Sequence, residues 1–423
     1  MSILIHSCSL FDSVNMETIH DASILIEKER ISRITTGSVD GSSVDKVIDG
    51  TGCTVLPGLF NLHTHPQRRH ARFMGPTSPF RIGAAAVEKL PNTQRLLWAI
   101  QNSWVELVEE GVTTMRAAGS KDFLNIELRD VFEHGPVSGP RIVSTGPILA
   151  ITGGHGTRGL DGGMEVDGED EVRKAVRRIL KEGADWIKLC VSGGLAGIHK
   201  GDHPSIVEFT PKEVRAAVEE AHKRGRKVMV HGMAADSVKM AVDAGVDCIE
   251  HGNLLDDEAI RMMADHGVSF VPTMSGIQCV YERERDGGST EVAEMLREVI
   301  APHAEAVAKC IDRGILIGTG TDTLGRIHRE IEMLVACGMS RYQALSAATH
   351  RSAQILGLEG EIGHVAEGMV ADLVVLEGDP GSDLGVLSNI KEVICRGHPV
   401  SWRYLANSGV AKEALCAQQG EEG

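Results

Sequence analysis

Apolar and polar positions along the chain fall into two textures. Residues 1–56 are short apolar runs broken by turn residues, as in SILIHSCSLFD, ASILIEKERISRITTG and DKVIDGTGCTVL, a pattern that predicts short β-strands. ADLVVLEGD and NIKEVICRGHPV repeat the texture near the other end. The two ends are therefore expected to pair as one small β-sandwich domain, residues 1–56 with 366–423, flanking a larger unit of residues 57–365.

In the middle of the chain an apolar run, a Gly or Asp turn and an amphipathic stretch recur in order, which is how βαβ units read. Eight runs fit a strand: VLPGLFNLH, GVTTMRAAG, RIVSTGPIL, DWIKLCVSG, RKVMVHG, DCIEHGN, VSFVPTM and ILIGTGTD. Helices between them carry their own signals. Thr210, Pro211 and Glu213 make a capping box before apolar Val214, Ala217, Val218 and Ala221. In TQRLLWAIQNSWVELVEEG, residues Leu96, Ile100, Trp104, Leu107 and Val108 share one stripe. The predicted fold is α/β, a (β/α)8 TIM barrel in preference to an open doubly wound sheet. Connections at residues 67–93 and 275–303 are longer than a turn needs and follow strand C-termini, where barrels build lids and pocket walls.

A chain of 423 residues with 42% apolar and 24% charged residues can bury a sizeable core. Its 43 basic against 59 acidic side chains give −16 at pH 7, which disfavours nucleic acid and anionic membranes and favours a small-molecule substrate. Self-association into a homo-oligomer is compatible with this composition. The nine cysteines include no close pair, so no disulfide framework or cysteine-based metal site is signalled, and a reducing cytoplasm is expected. MSILIHSCSLFDSVN lacks the basic and apolar regions of an export signal, and no window is apolar enough for a bilayer span.

Candidate chemistry sits at the ends of the predicted strands. His63 and His65 are one residue apart, so in an extended chain both imidazoles reach the same side and one metal. Lys188, His231, His251 and Asp322 each lie near the C-terminal end of a different strand, so five of the eight strand ends carry a donor or donor precursor. Barrels do their chemistry on that face. Lys188 stands apart, because an ammonium inside a barrel is costly and its pKa should fall. A neutral amine can take up CO2, and the resulting carbamate can bridge two cations; a lysine paired with Asp322 is the alternative.

The order His-X-His, Lys, His, His, Asp resembles the amidohydrolase superfamily, in its binuclear carboxylated-lysine type. The phrases VLPGLFNLHTH, ITGGHG, IKLCVSGG, IEHGN, GTGTDT and ALSAATHRSAQILGL are similar to the imidazolonepropionase-related branch that includes Xaa-Pro dipeptidases. The resemblance implies two divalent metals, zinc by donor type, with His63, His65 and Asp322 on one and His231 and His251 on the other. Lys188 carbamate and a hydroxide would bridge them, and Asp322 would carry the water proton to the leaving nitrogen. His155, in ITGGHG, resembles a histidine that contacts the substrate.

The implied reaction is hydrolysis of an amide-type C–N bond in a dipeptide, an N-acyl amino acid or a related amide. Met233 stands where the dipeptidases carry a carboxylate-binding tyrosine, which weakens a dipeptidase assignment. Ala234 stands where mononuclear deaminases of the superfamily carry a glutamate, which weighs against deamination. Carbamate or lactone hydrolysis and a non-catalytic scaffold are the other readings. Arg283 and Arg285 in YERERDGG are expected to be a solvated charge run, and His6, His20, His222, His266, His364 and His398 to be surface residues.

Overall fold

The structure is a computed structural model and describes residues 1–37, 39, 41–68, 91–135, 137–157, 162–195 and 201–400. The chain opens with β1 (Ser2–Asp12), β2 (Glu17–Glu27), β3 (Arg30–Thr36), β4 (Lys46–Asp49) and β5 (Cys53–Pro57). The central strands are β6 (Leu59–Thr64), β7 (Val112–Ala117), β8 (Arg141–Ser144), β9 (Leu149–Ala150), β10 (Met164–Glu165), β11 (Trp186–Cys190), β12 (Lys227–Ala234), β13 (Cys248–Leu254) and β14 (Ser269–Val271). Then come β15 (Leu373–Glu377), β16 (Ile390–Cys395) and β17 (His398–Val400).

The two chain ends pair, as their shared texture implied. β5 runs antiparallel to β15, with Val55 opposite Val375 and Leu56 opposite Val374. This joins β1–β5 and β15–β17 in one sheet of order β17-β16-β15-β5-β1-β2-β3, with β4 beside β1. Apolar residues spaced by two, Ile3 and Ile5, Ile24 and Ile26, Leu373 and Val375, point into a common core, which drives the pairing.

The middle of the chain forms parallel sheets of order β6-β7-β8 and β10-β9-β11-β12-β13-β14. Residues 317–322 link them through parallel bridges Phe270 to Ile317 and Thr64 to Asp322. The expected eighth strand ILIGTGTD makes these two bridges without forming a ladder, and its Gly318 and Gly320 lie where a Cβ would overlap Leu62 and His63, so the backbone approaches β6 closely. The expected third strand RIVSTGPIL divides into β8 and β9, since Pro147 has no N–H and Gly146 takes φ 67°.

Strand phase decides what meets inside. Phe60, Leu62, Val143, Trp186, Met229, Cys248 and Val271 form one buried layer. Two residues further along three of these strands come Lys188, His231 and Glu250, so the same face changes from apolar to polar at the strand ends. Outward residues such as Ile187, Val228, Val230 and Ile249 pack against the helices.

The helix Asn92–Glu110 buries Trp104 and Leu107 on the expected stripe, each worth about 2 kcal/mol. It ends at Gly111, whose φ of 70° turns the chain into β7 and whose missing Cβ leaves room for Val374. The capping box at Thr210 and Glu213 opens the helix Pro211–His222 as expected. The connection at 275–303 is a helical hairpin, Met274–Gly287 followed by Thr290–Asp312. Ala293, Leu296, Val299, Ala306, Val307 and Cys310 give its second helix a buried face at helical spacing. Most of the other long connection, residues 69–90, lies outside the described residues. Among the described residues no helix is long and apolar enough to cross a membrane.

Candidate metal centre

His63 closes β6 and His65 follows it, and the chain at 321–322 is pinned to them. The N–H groups of Thr321 and Asp322 both donate to the carbonyl oxygen of His63, at 3.0 and 2.7 Å. Ligand atoms of His63, His65 and Asp322 thereby lie within 4.8 Å of one another. The His65 Nε2 is 3.5 Å from Asp322 Oδ1.

From the other sheet come His231 and His251, with ring centroids 4.5 Å apart, and His251 is 4.7 Å from the His63 ring. Strand alternation would turn His251 away from the face that Glu250 occupies. A left-handed backbone at His251, φ 74°, lets both reach the same space. Thr273 and Asp322 are left-handed too, both at φ 55°. Three consecutive strand ends therefore hold a rare conformation where their side chains converge.

Lys188 is buried on β11, and its Nζ has no hydrogen-bond partner among the described residues. The alternative of a hydrogen-bonded pair with Asp322 is therefore not what the structure has. Burial lowers the lysine pKa, and the ammonium lies close enough to depress His63, His65, His231 and His251 in turn. Burial is the larger cause for all four histidines and takes His65 down to about 3. Burial alone would raise Asp322, but His63, His65, Arg68 and Lys188 outweigh it and hold the carboxyl at about 2. Neutral imidazoles, an ionised carboxylate and an orphaned buried amine form a donor set that fits divalent metal.

The imidazoles are oriented by partners that sequence reasoning passed over. His63 Nδ1 meets Glu250 Oε2 at 2.7 Å, His251 Nδ1 meets Thr273 Oγ1 at 2.7 Å, and His65 Nδ1 meets the Gly119 carbonyl at 3.3 Å. Arg116 donates to Glu250 Oε1 at 2.7 Å. Asn61 and Thr64 donate to Glu106, which braces the strand end from the helix Asn92–Glu110. A charged residue inside an apolar strand, Arg116 in TTMRAA or Glu250 in CIEHG, was the available signal. Arg68 Nη1 lies 3.8 Å from Asp322 Oδ1, a cation at the mouth that was also missed.

Residues 54–400 match the Amidohydrolase family. The chain belongs to the amidohydrolase family. It is thus a metal-dependent hydrolase acting on C–N bonds. A Xaa-Pro dipeptidase structure with bound methionine in its active site is 31% identical, with a TM-score of 0.84 over 95% of this chain and all of that one. Ochratoxinase from Aspergillus niger is 28% identical over 365 residues, 80% of this chain and 73% of its own length. The crystal structure of that enzyme has a TM-score of 0.78 over 94% of this chain and 95% of that chain. Imidazolonepropionase from Hahella chejuensis is 24% identical over 368 residues, covering 79% of this chain and 82% of the relative.

In this amidohydrolase His155 stacks on His231, centroids 4.7 Å apart at 24°. Its Nδ1 is held by the buried Asp202 and its backbone N–H by Glu208, at 2.6 Å. A Cβ at Gly194 would overlap the His155 ring, so the glycine is what admits it. Met233 is buried against Ile277 and Leu296 of the helical hairpin, with Leu195 and Tyr281 beside them, an apolar wall next to His231. Arg283 and Arg285 are exposed and pair with Glu284 and Asp286, as a solvated charge run should, although the Arg285 guanidinium also lies 5.6 Å over the Tyr281 ring at the edge of this wall. His222 likewise pairs at the surface with Asp247.

Proposed function

We propose that this chain hydrolyses an amide-type C–N bond in a small molecule, such as a dipeptide, an N-acyl amino acid or a related amide, at a binuclear metal centre. His63, His65 and Asp322 would hold one divalent ion and His231 and His251 the other, with Lys188 between them as its carbamate. The observation that carries this reading is the buried, unpartnered Lys188 Nζ amid four neutral imidazoles, because an amine so placed is costly until it reacts or is neutral. The two linked parallel sheets read as one (β/α)8 barrel of residues 57–365, and the end sheet as a small β-sandwich of residues 1–56 and 366–423.

Bound divalent ions, zinc by donor type, would polarise the scissile carbonyl and lower the pKa of water toward about 7. The protein does the rest. Asp322, with 29% of its side chain exposed, is open enough to take a proton from the attacking water and return it to the leaving nitrogen. His155, fixed by Asp202, orients the substrate beside His231. The Met233, Ile277 and Leu296 wall suits an apolar substituent on the amide. Ala234 at the end of β12 supplies no proton carrier, which weighs against a deaminase. Buried free thiols at Cys190 and Cys248 suit a reducing cytoplasm.

The test is metal quantification on purified protein, followed by a panel of N-acyl amino acids, dipeptides, aryl amides, carbamates and lactones. The reading expects metal-dependent turnover of amides. Protein that binds metal yet turns over only lactones or amino-purine-type substrates would overturn it.

A further inference from the structure

Both oxygens of the buried Glu250 are committed to other side chains. Oε2 meets His63 Nδ1 at 2.7 Å and Oε1 accepts from Arg116 Nη2 at 2.7 Å, and the Glu250 and Arg116 side chains are completely buried. Cys248 Sγ adds a third contact to Oε1 at 3.0 Å. Arg116 is itself fixed, donating its Nε to the Leu62 carbonyl at 2.7 Å and lying 4.6 Å over the Trp186 ring. The chain Leu62, Arg116, Glu250, His63 thus closes on the strand that carries His63, since Leu62 is its neighbour.

A carboxylate oxygen paired with a ring nitrogen at this distance makes that nitrogen the proton bearer. The other nitrogen, Nε2, is then a bare lone pair. Both oxygens of Glu250 face protein partners, Oε2 toward His63 and Oε1 toward Arg116 and Cys248, so the carboxylate acts on the imidazole.

We propose, resting on the metal-centre reading above, that Glu250 is a positioning residue that fixes His63 as its Nδ1–H tautomer with Nε2 toward the metal, and that Arg116 aims Glu250. Partners of this kind typically account for 10- to 100-fold in metal affinity. In Glu250→Gln, Arg116 still claims the amide oxygen, which turns the amide NH2 toward His63 Nδ1. The ring must then accept there and carry its proton on Nε2, facing the metal.

Two measurements test this. Zinc alone is titrated against a competing chelator for wild type, Glu250→Gln and the apolar pair Arg116→Met/Glu250→Leu, with melting of the metal-free proteins followed in parallel. About 10- to 100-fold weaker binding is expected in both variants, including the apolar pair, where no buried charge is left unpaired. Wild-type affinity in an apolar pair that melts like wild type overturns the proposal. Should that pair not fold, ¹⁵N-histidine spectra of metal-free wild type, with His63→Gln for assignment, decide alone: the proposal requires Nδ1–H at His63, and an Nε2–H signal overturns it. Wild type that takes up no zinc would instead fail the metal-centre reading and leave the tautomer result to judge Glu250.

Discussion

Asp322 donates its backbone N–H to the carbonyl oxygen of His63 at 2.7 Å, which ties the last candidate ligand in the sequence to the first. The bond holds Asp322 at φ 55° with its carboxylate facing His65. Replacing the side chain therefore leaves the backbone tie intact. Asp322→Asn is expected to fold, to keep most of its metal and to lose about 10²- to 10⁴-fold in kcat, the usual span for a lost proton carrier. Metal analysis should find about two ions per wild-type chain. Full activity at one ion, or an Asn variant of near wild-type kcat, contradicts the assigned role.

Lys188 offers the most direct chemical test. Lys188→Ala removes the amine that would become the bridge, and activity should vanish, then return in part when acetate or propionate is added. Lys188→Arg cannot form the carbamate. If the arginine variant hydrolysed substrate at the wild-type rate, the residue would be a structural cation.

Met233 bears on substrate choice. It lies in an apolar wall with Ile277 and Leu296, where a charged substrate carboxylate finds no polar group from this residue. Met233→Tyr should raise kcat/KM for Xaa-Pro or N-acyl amino acid substrates relative to uncharged amides by on the order of 1 kcal/mol. Both classes must be measured on both proteins. An unchanged ratio alongside efficient wild-type dipeptide cleavage would move carboxylate recognition to His155 or to Arg68.

Glu330 predicts a pH dependence of stability. It is fully buried, and burial raises its carboxyl to about 7 against the N–H groups of Ser275 and Met274, which donate at 2.6 and 3.0 Å and pull it down. Between pH 4.5 and about 7 the unfolded chain gives up this proton while the folded one keeps it. Stability should then fall as pH rises through that window, by up to about 3 kcal/mol. Glu330→Gln removes the titration, so the difference between wild-type and variant denaturation curves should change from pH 4.5 to 7 and level off above it. Parallel curves across the window would show that the group does not titrate there.

That Lys188 and His231 share a face with the apolar layer below them was readable because short-range pattern fixes it, since strand periodicity sets the phase of β11 and β12; the left-handed turn that carries Asp322 follows from no such period. The helix start at Thr210 was readable for the same reason, since a capping box involves residues only three apart. His251 does come beside His63 and His231, but alternation alone would have turned it outward from Glu250. Only its left-handed backbone, held within the folded sheet, brings both inside. The pairing of β5 with β15, the bracing of His63 by Glu250 and Arg116 from other strands, and the grip of Asp202 on His155 join residues far apart in the chain. Such partners are selected by burial and by the cost of leaving a buried polar group unmatched, which exist only once the tertiary structure has excluded water.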